Sequence, residues 1–199
     1  NRISVDATDP ANPIVNIDSA YDAEILKAAM LVRAGRRLSC IYTTLGAGAG
    51  WTANSWRAYP FLQTKAITAI GVEVTGLIAG SKARCAIYSD LNGYPDALLA
   101  DGGEVNCATT GVKDGVISLP ALEQPRWIWL ACNISVGTIG FRYITSNVNL
   151  IGRTSGSGSN AISMYNATGV AFGAPPANYP AGAIERAFQQ EGILIEVTE

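Results

Sequence analysis

The chain has 199 residues, 48% of them apolar and 15% charged, with a net charge of −2 and no histidine. That length and apolar content suit one large folded domain, or one domain plus a small appendage, and exclude a disordered polymer. The charge balance gives no attraction to nucleic acid or to an anionic membrane, and no apolar run approaches the ~20 residues that insert across a bilayer.

Residues 1–17 mix polar and apolar positions, and Pro10 and Pro13 oppose regular structure, so they read as an extended arm or linker. Asn1 stands where a start methionine would, which fits either a processed chain or a fragment of a longer one. Ser19 and Asp22 then form an S-x-x-D capping signal, with Ile25, Ala29 and Val32 on one helical stripe and Gly35 placed to end it. This spacing predicts a helix over about 20–34. The rival reading is a buried strand from Ala28 to Val32 leading into Leu38–Tyr42, because short apolar runs fit either period. The division expected is 1–37 for the N-terminal arm and helix and 38–199 for the main domain.

From Leu38 onward the pattern changes to short strands at regular spacing. Candidates are 38–44, 56–62, 67–76, 82–89, 103–108, 114–119, 126–135, 138–144, 161–165 and 192–198. Ile70, Val72 and Val74 alternate with Gly71, Glu73 and Thr75, as a strand with one buried face requires. The stretch 126–132 is apolar on both faces, which predicts a central strand covered on both sides, the second cover coming from a neighbouring subunit. With 21 glycines and nine prolines scattered without period and no βαβ rhythm, the fold class is all-β. The architecture expected is a jelly-roll-like β-sandwich with a short N-terminal helix and an extended arm. Leu45–Gly50 (LGAGAG) and Gly152–Asn160 read as flexible loops, and 166–191, with Pro175, Pro176 and Pro180, as an ordered excursion over the sandwich.

The stretch Lys82–Val105 carries the clearest local chemistry. A strand ends in Ser89, Asp90, Asn92 and Gly93, where Asn-Gly supplies the positive φ of a tight reversal. Asp101-Gly102-Gly103 predicts a second turn before the next strand. Asp90-Leu91-Asn92-Gly93 also looks like the opening of a calcium loop, but Glu104 is badly placed as its closing ligand, so turn chemistry explains these residues. Four cysteines (Cys40, Cys85, Cys107, Cys132) form no C-x-x-C pair, which with no histidine points away from zinc. Cys85 and Cys132 lie on apolar faces and read as reduced core thiols, a disulfide framework being the alternative. No metal, cofactor or catalytic residue is expected. Asp96, Asp101 and Glu104 have turn or edge positions, Ser-His and Cys-His pairs are impossible, and 152–160 lacks the spacing of a phosphate loop.

Trp56-Arg57-Ala58-Tyr59-Pro60-Phe61 before ITAIGVEVT, the IYSD-to-LLADGGEV unit, Thr109-Thr110-Gly111-Val112, and Trp127-Ile128-Trp129-Leu130-Ala131 follow in that order. Together, over about residues 51–135, they resemble a recurrent β-sandwich module of tailed-bacteriophage virion proteins, such as tail fibres and other tail surface proteins. Glu123-Gln124-Pro125-Arg126 departs from that module, which has a glycine-rich approach to its last strand. The resemblance implies a non-enzymatic, often trimeric component of the virion surface, made in the host cytoplasm and contacting other virion proteins.

Three roles follow: a virion structural module, a receptor-binding tip for host polysaccharide or protein, or a carbohydrate-binding module of a secreted or cell-surface enzyme. Fold alone does not choose between them. Aromatic rings beside loops are the remaining lead, because they stack on sugar faces and anchor protein interfaces. The ligand-binding candidates are Trp51, Trp56, Asp90, Asn92 and Tyr94, in two glycine-containing reversals that each carry a ring.

Overall fold

The computed structural model describes residues 3–6, 14–17, 37–38, 45–50, 52–122, 124–144, 164–186, 190–191 and 193–197. In chain order the first strands are β1 (Ile3–Asp6), β2 (Ile14–Ile17), β3 (Arg37–Leu38) and β4 (Leu45–Gly50). Then come β5 (Ser55–Gln63), β6 (Ile67–Gly76), β7 (Lys82–Leu91), β8 (Tyr94–Asn106), β9 (Gly111–Leu119) and β10 (Arg126–Ile134). The last are β11 (Gly140–Ile144), β12 (Met164–Thr168), β13 (Ile184–Arg186), β14 (Gln190–Glu191) and β15 (Ile193–Val197). No helix occurs among the described residues, and the expected helix over 20–34 lies outside them.

One sheet has six strands in the order β13-β12-β5-β10-β7-β8. The other has seven and is built on β6, with β9 along one edge and β15 followed by β11 along the opposite edge. Beyond these lie β3 and β4, while β14 pairs with β11. The pairings are antiparallel. Tyr59, Phe61, Cys85, Ile87, Ile128, Leu130 and Cys132 from the first sheet meet Ile67, Ile70, Val72, Val74, Phe141, Ile193 and Ile195 from the second in one buried cluster. The two antiparallel sheets therefore pack face to face as a β-sandwich. Alternation along each strand dictates this, since a sheet with one apolar face must bury it.

Several local expectations change. The arm over 1–17 contains an antiparallel pair, with Ile3 opposite Ile17 and Val5 opposite Val15. Pro10 and Pro13 lie outside the described residues. Leu45–Gly50 is a strand, not a flexible loop, because its pairing with Gly140–Ile144 uses only main-chain groups and needs no side-chain pattern. Asp101-Gly102-Gly103 is a bulge within the continuous β8, not a reversal. Arg84 faces Glu104 whereas Ala86 faces Asp101, so β8 carries one extra residue there, with Gly103 at φ 72°. Gly103 donates its N–H to Asp101 Oδ1 at 2.9 Å. The loop expected at 152–160 lies outside the described residues, as does Cys40. Cys85, Cys107 and Cys132 are buried thiols, and burial pushes Cys107 up to about 12.

The bulge also brings the two sheets into contact. A β-carbon at Gly102 would stand 2.7 Å from Ile70 Cγ2, and one at Gly115 would overlap the Gly102 carbonyl. Only glycine fits this approach of β8 to β6 and β9.

Candidate functional site

The six-stranded sheet buries its outer face as well as its inner one. Small residues (Ala58, Ala86, Ala131, Ala167) form a floor, and Trp56, Tyr88, Trp129, Tyr165 and Tyr179 form an aromatic layer on it. Over this layer lies a strap, residues 169–183, which joins β12 to its hairpin partner β13. Trp56 and Tyr88, Tyr88 and Tyr179, and Trp129 and Tyr165 meet edge to face at 5.2–6.4 Å.

Polar groups fix the strap's course. Buried Asn133 donates through Nδ2 to the Val170 carbonyl at 3.2 Å, while its Oδ1 accepts the N–H groups of Ser55 and Ile134. Asn54, at φ 57°, accepts the Val170 N–H on its carbonyl and the Phe172 N–H on its side chain. Residues 177–179 then lie along the free edge of β8. Leu98 N–H donates to Ala177 O at 2.8 Å and Tyr179 N–H to Asp96 O at 2.7 Å. Tyr88 donates its hydroxyl to Pro176 O at 3.1 Å and Tyr94 donates to Ala183 O at 2.9 Å. The Tyr179 hydroxyl proton is shared between the Trp56 and Tyr165 carbonyls, at 2.8 and 3.0 Å. Burial holds the Tyr88, Tyr165 and Tyr179 phenols well above the ordinary tyrosine range, Glu185 adding to the effect at Tyr165.

Strand β10 is thus central and covered on both sides, and the outer cover comes from the same chain. Trp129, 2% exposed, lies beneath it. The expectation that a neighbouring subunit must cover this strand loses its motive.

The five ligand-binding candidates separate. Trp51 lies outside the described residues. Trp56 is 0% exposed, with an indole N–H that has no hydrogen-bond partner, so it is a core residue and its ring is closed to any ligand. The reason is strand alternation: Trp56 and Ala58 point to the outer face, and the strap covers them. Tyr59, Tyr165 and Tyr179 are buried too.

Asp90, Asn92 and Tyr94 do come together in the β7–β8 hairpin. Leu91 faces Tyr94, and Asn92 and Gly93 take φ 55° and 82°, the two positive values of a type I′ turn. Asp90 accepts the Gly93 N–H on Oδ2 at 3.2 Å and the Trp129 indole N–H on Oδ1 at 2.8 Å. These bonds account for the carboxylate by turn and core chemistry. Tyr94, 41% exposed, lays its ring on Tyr165 with centroids 3.9 Å apart and planes tilted by 40°.

One residue near this hairpin was not among the ligand-binding candidates. Trp127, two positions before Trp129 on the same face of β10, is 47% exposed. The strap ends short of it. An all-apolar strand gives no signal of which ring its cover misses.

Among the described residues no group of three or more histidine, cysteine, aspartate or glutamate side chains is arranged to hold a metal ion. Comparisons with protein-family models, curated proteins and solved structures each returned no match.

Proposed function

We propose that this chain is a non-enzymatic structural module of a tailed-bacteriophage virion, a jelly-roll-like sandwich on the surface of a tail fibre, tail or capsid. The observation that carries the reading is the ordered set of four motifs running from β5 to β10. These motifs occupy consecutive strands of a β-sandwich, and the IYSD-to-LLADGGEV unit forms its longest hairpin. Its carboxylates bond within the fold: Asp90 to the turn and Trp129, Asp101 to Arg84 and the bulge. In this reading the module works as a homotrimer beside other virion proteins.

Antibody raised against the chain should decorate purified particles in electron micrographs, and its peptides should appear in digests of those particles at structural copy number. Absence from both would sink the proposal. A monodisperse monomer near 20.8 kDa by light scattering would remove the trimer for the isolated chain. The second reading, a carbohydrate-binding module of a secreted or cell-surface enzyme, draws on the exposed Trp127 and Tyr94 rings. It expects a monomer that is absent from particles.

A further inference from the structure

We propose that the end of the outer face left uncovered by the strap is a binding shelf for neutral hexose saccharides, with Trp127 as its stacking surface and Asp90 as its fixed acceptor. The site deepens the surface-module reading but stands on its own geometry. Trp127 pairs with Leu62 of β5 on one side. On the other side the β10–β7 ladder runs to Ile128 opposite Ser89, which sets Trp127 beside Asp90, and Asp90 in turn faces Pro95 of β8. Leu62, Trp127, Asp90 and Pro95 thus form one row across four strands, spanning roughly 14 Å at the usual inter-strand spacing. Tyr94 lies at the β8 end of the row, held by its hydroxyl bond to Ala183 and its contact with Tyr165.

Two features select the ligand. A pyranose presents an apolar C–H face edged by hydroxyl donors, and the row presents an exposed indole beside a carboxylate. Asp90 is oriented by two protein donors, one on each oxygen, and each oxygen keeps a second lone pair for a ligand hydroxyl. This is a preorganised acceptor with little ordering left to do on binding. The surroundings are acidic: Asp96 lies two residues beyond Tyr94, and Glu185, on β13, accepts the Tyr165 hydroxyl at 3.2 Å. Arg126, the nearest cation along β10, bonds through Nε to the neutral Gln63 Oε1 at 2.9 Å and keeps its charge, so the rim sets the three carboxylates of Asp90, Asp96 and Glu185 against one guanidinium. Such a rim repels carboxylated or sulfated sugars and leaves neutral ones.

The experiment applies the full chain to an immobilised panel of glucose, galactose and mannose oligosaccharides, alongside hexuronic-acid and sialylated ones. At least one neutral oligosaccharide should be retained. Trp127→Ala should weaken its binding at least tenfold, while Trp127→Phe keeps part of it and both variants keep the wild-type melting temperature. Val116→Ala, on the distant β9, should change nothing. Retention of no neutral sugar, preference for acidic ones, or binding indifferent to Trp127→Ala would each overturn the site. Loss of self-association in Trp127→Ala without sugar binding would reassign the shelf to contact between copies. Presence in virions is read independently with antibody, so failure of the shelf and failure of the virion reading remain distinct.

Discussion

Gly102 shows how much one missing methyl can control. Its α-carbon stands where β8 leaves its own sheet and meets β6, with Ile70 Cγ2 and the Cys85 carbonyl both at 3.0 Å or less from a would-be β-carbon. Backbone on one side and a β-branched core residue on the other leave no soft neighbour to give way. Gly102→Ala should therefore destabilise the fold by about 3 kcal/mol, at the upper end of overpacking costs. Urea titration checks this; an unchanged midpoint would mean that the sheets can part at the bulge. Tyr179 makes the complementary case for a single hydroxyl. Tyr179→Phe removes the donor from the buried Trp56 and Tyr165 carbonyls without altering the ring, and should cost about 1–2 kcal/mol by the same titration.

At the scale of elements, the strap behaves as a third layer. Its Ala, Gly and Pro content resembles that of a cleavable linker, but its main chain is bonded to β8 and to the Tyr88 hydroxyl, and its Tyr179 hydroxyl to the Trp56 and Tyr165 carbonyls. Proteolysis of the native protein should spare 170–183, and Tyr88→Phe, which frees the Pro176 carbonyl, should make it cleavable there first. Mass spectrometry of the fragments would show this.

These elements also show what could be read in advance. The alternation of Ile70, Val72 and Val74 placed β6 to its last residue, because one-sided burial writes a period of two into sequence. Asn92-Gly93 marked its hairpin through backbone sterics alone. The glycine-rich β4 carries no side-chain pattern, so its pairing was invisible. Trp56 looked like a loop aromatic because its burial depends on a strap more than a hundred residues away. Of the candidate site, the hairpin residues were legible and Trp127 was not.

Stability should respond at both ends of the pH scale, and the signs follow from three buried phenols and one ion-paired carboxylate. Tyr88, Tyr165 and Tyr179 have folded values above the ordinary 10.0, so their contribution is complete below pH 10 and is lost as pH rises further. Asp101 is held below its ordinary 3.8 by the Arg84 guanidinium, with Nε at 3.0 Å, so its contribution is complete above that value and fades as pH falls. Melting temperature should be flat between about pH 5 and 8 and fall on both sides, the buried Cys107 thiol opening the alkaline limb before the phenols. An alkaline limb that stays level to about pH 11 would show that the phenols titrate as exposed groups, since equal folded and unfolded values leave stability independent of pH.

The placement of β15 beside β6 has a consequence for biosynthesis. The edge of β6 that β15 covers is complete as soon as Gly76 is made, yet its partner begins at Ile193. At ordinary translation rates that interval lasts about 6–25 s. Throughout it, the row of Ile67, Ile70 and Val72 emerges from the ribosome with its β15 edge unpaired, a template for strands of other nascent chains. Pairings this distant in sequence also close slowly once available. Yield should therefore depend on how crowded the ribosomes are along each message, with slower initiation giving more soluble protein from the same number of completed chains.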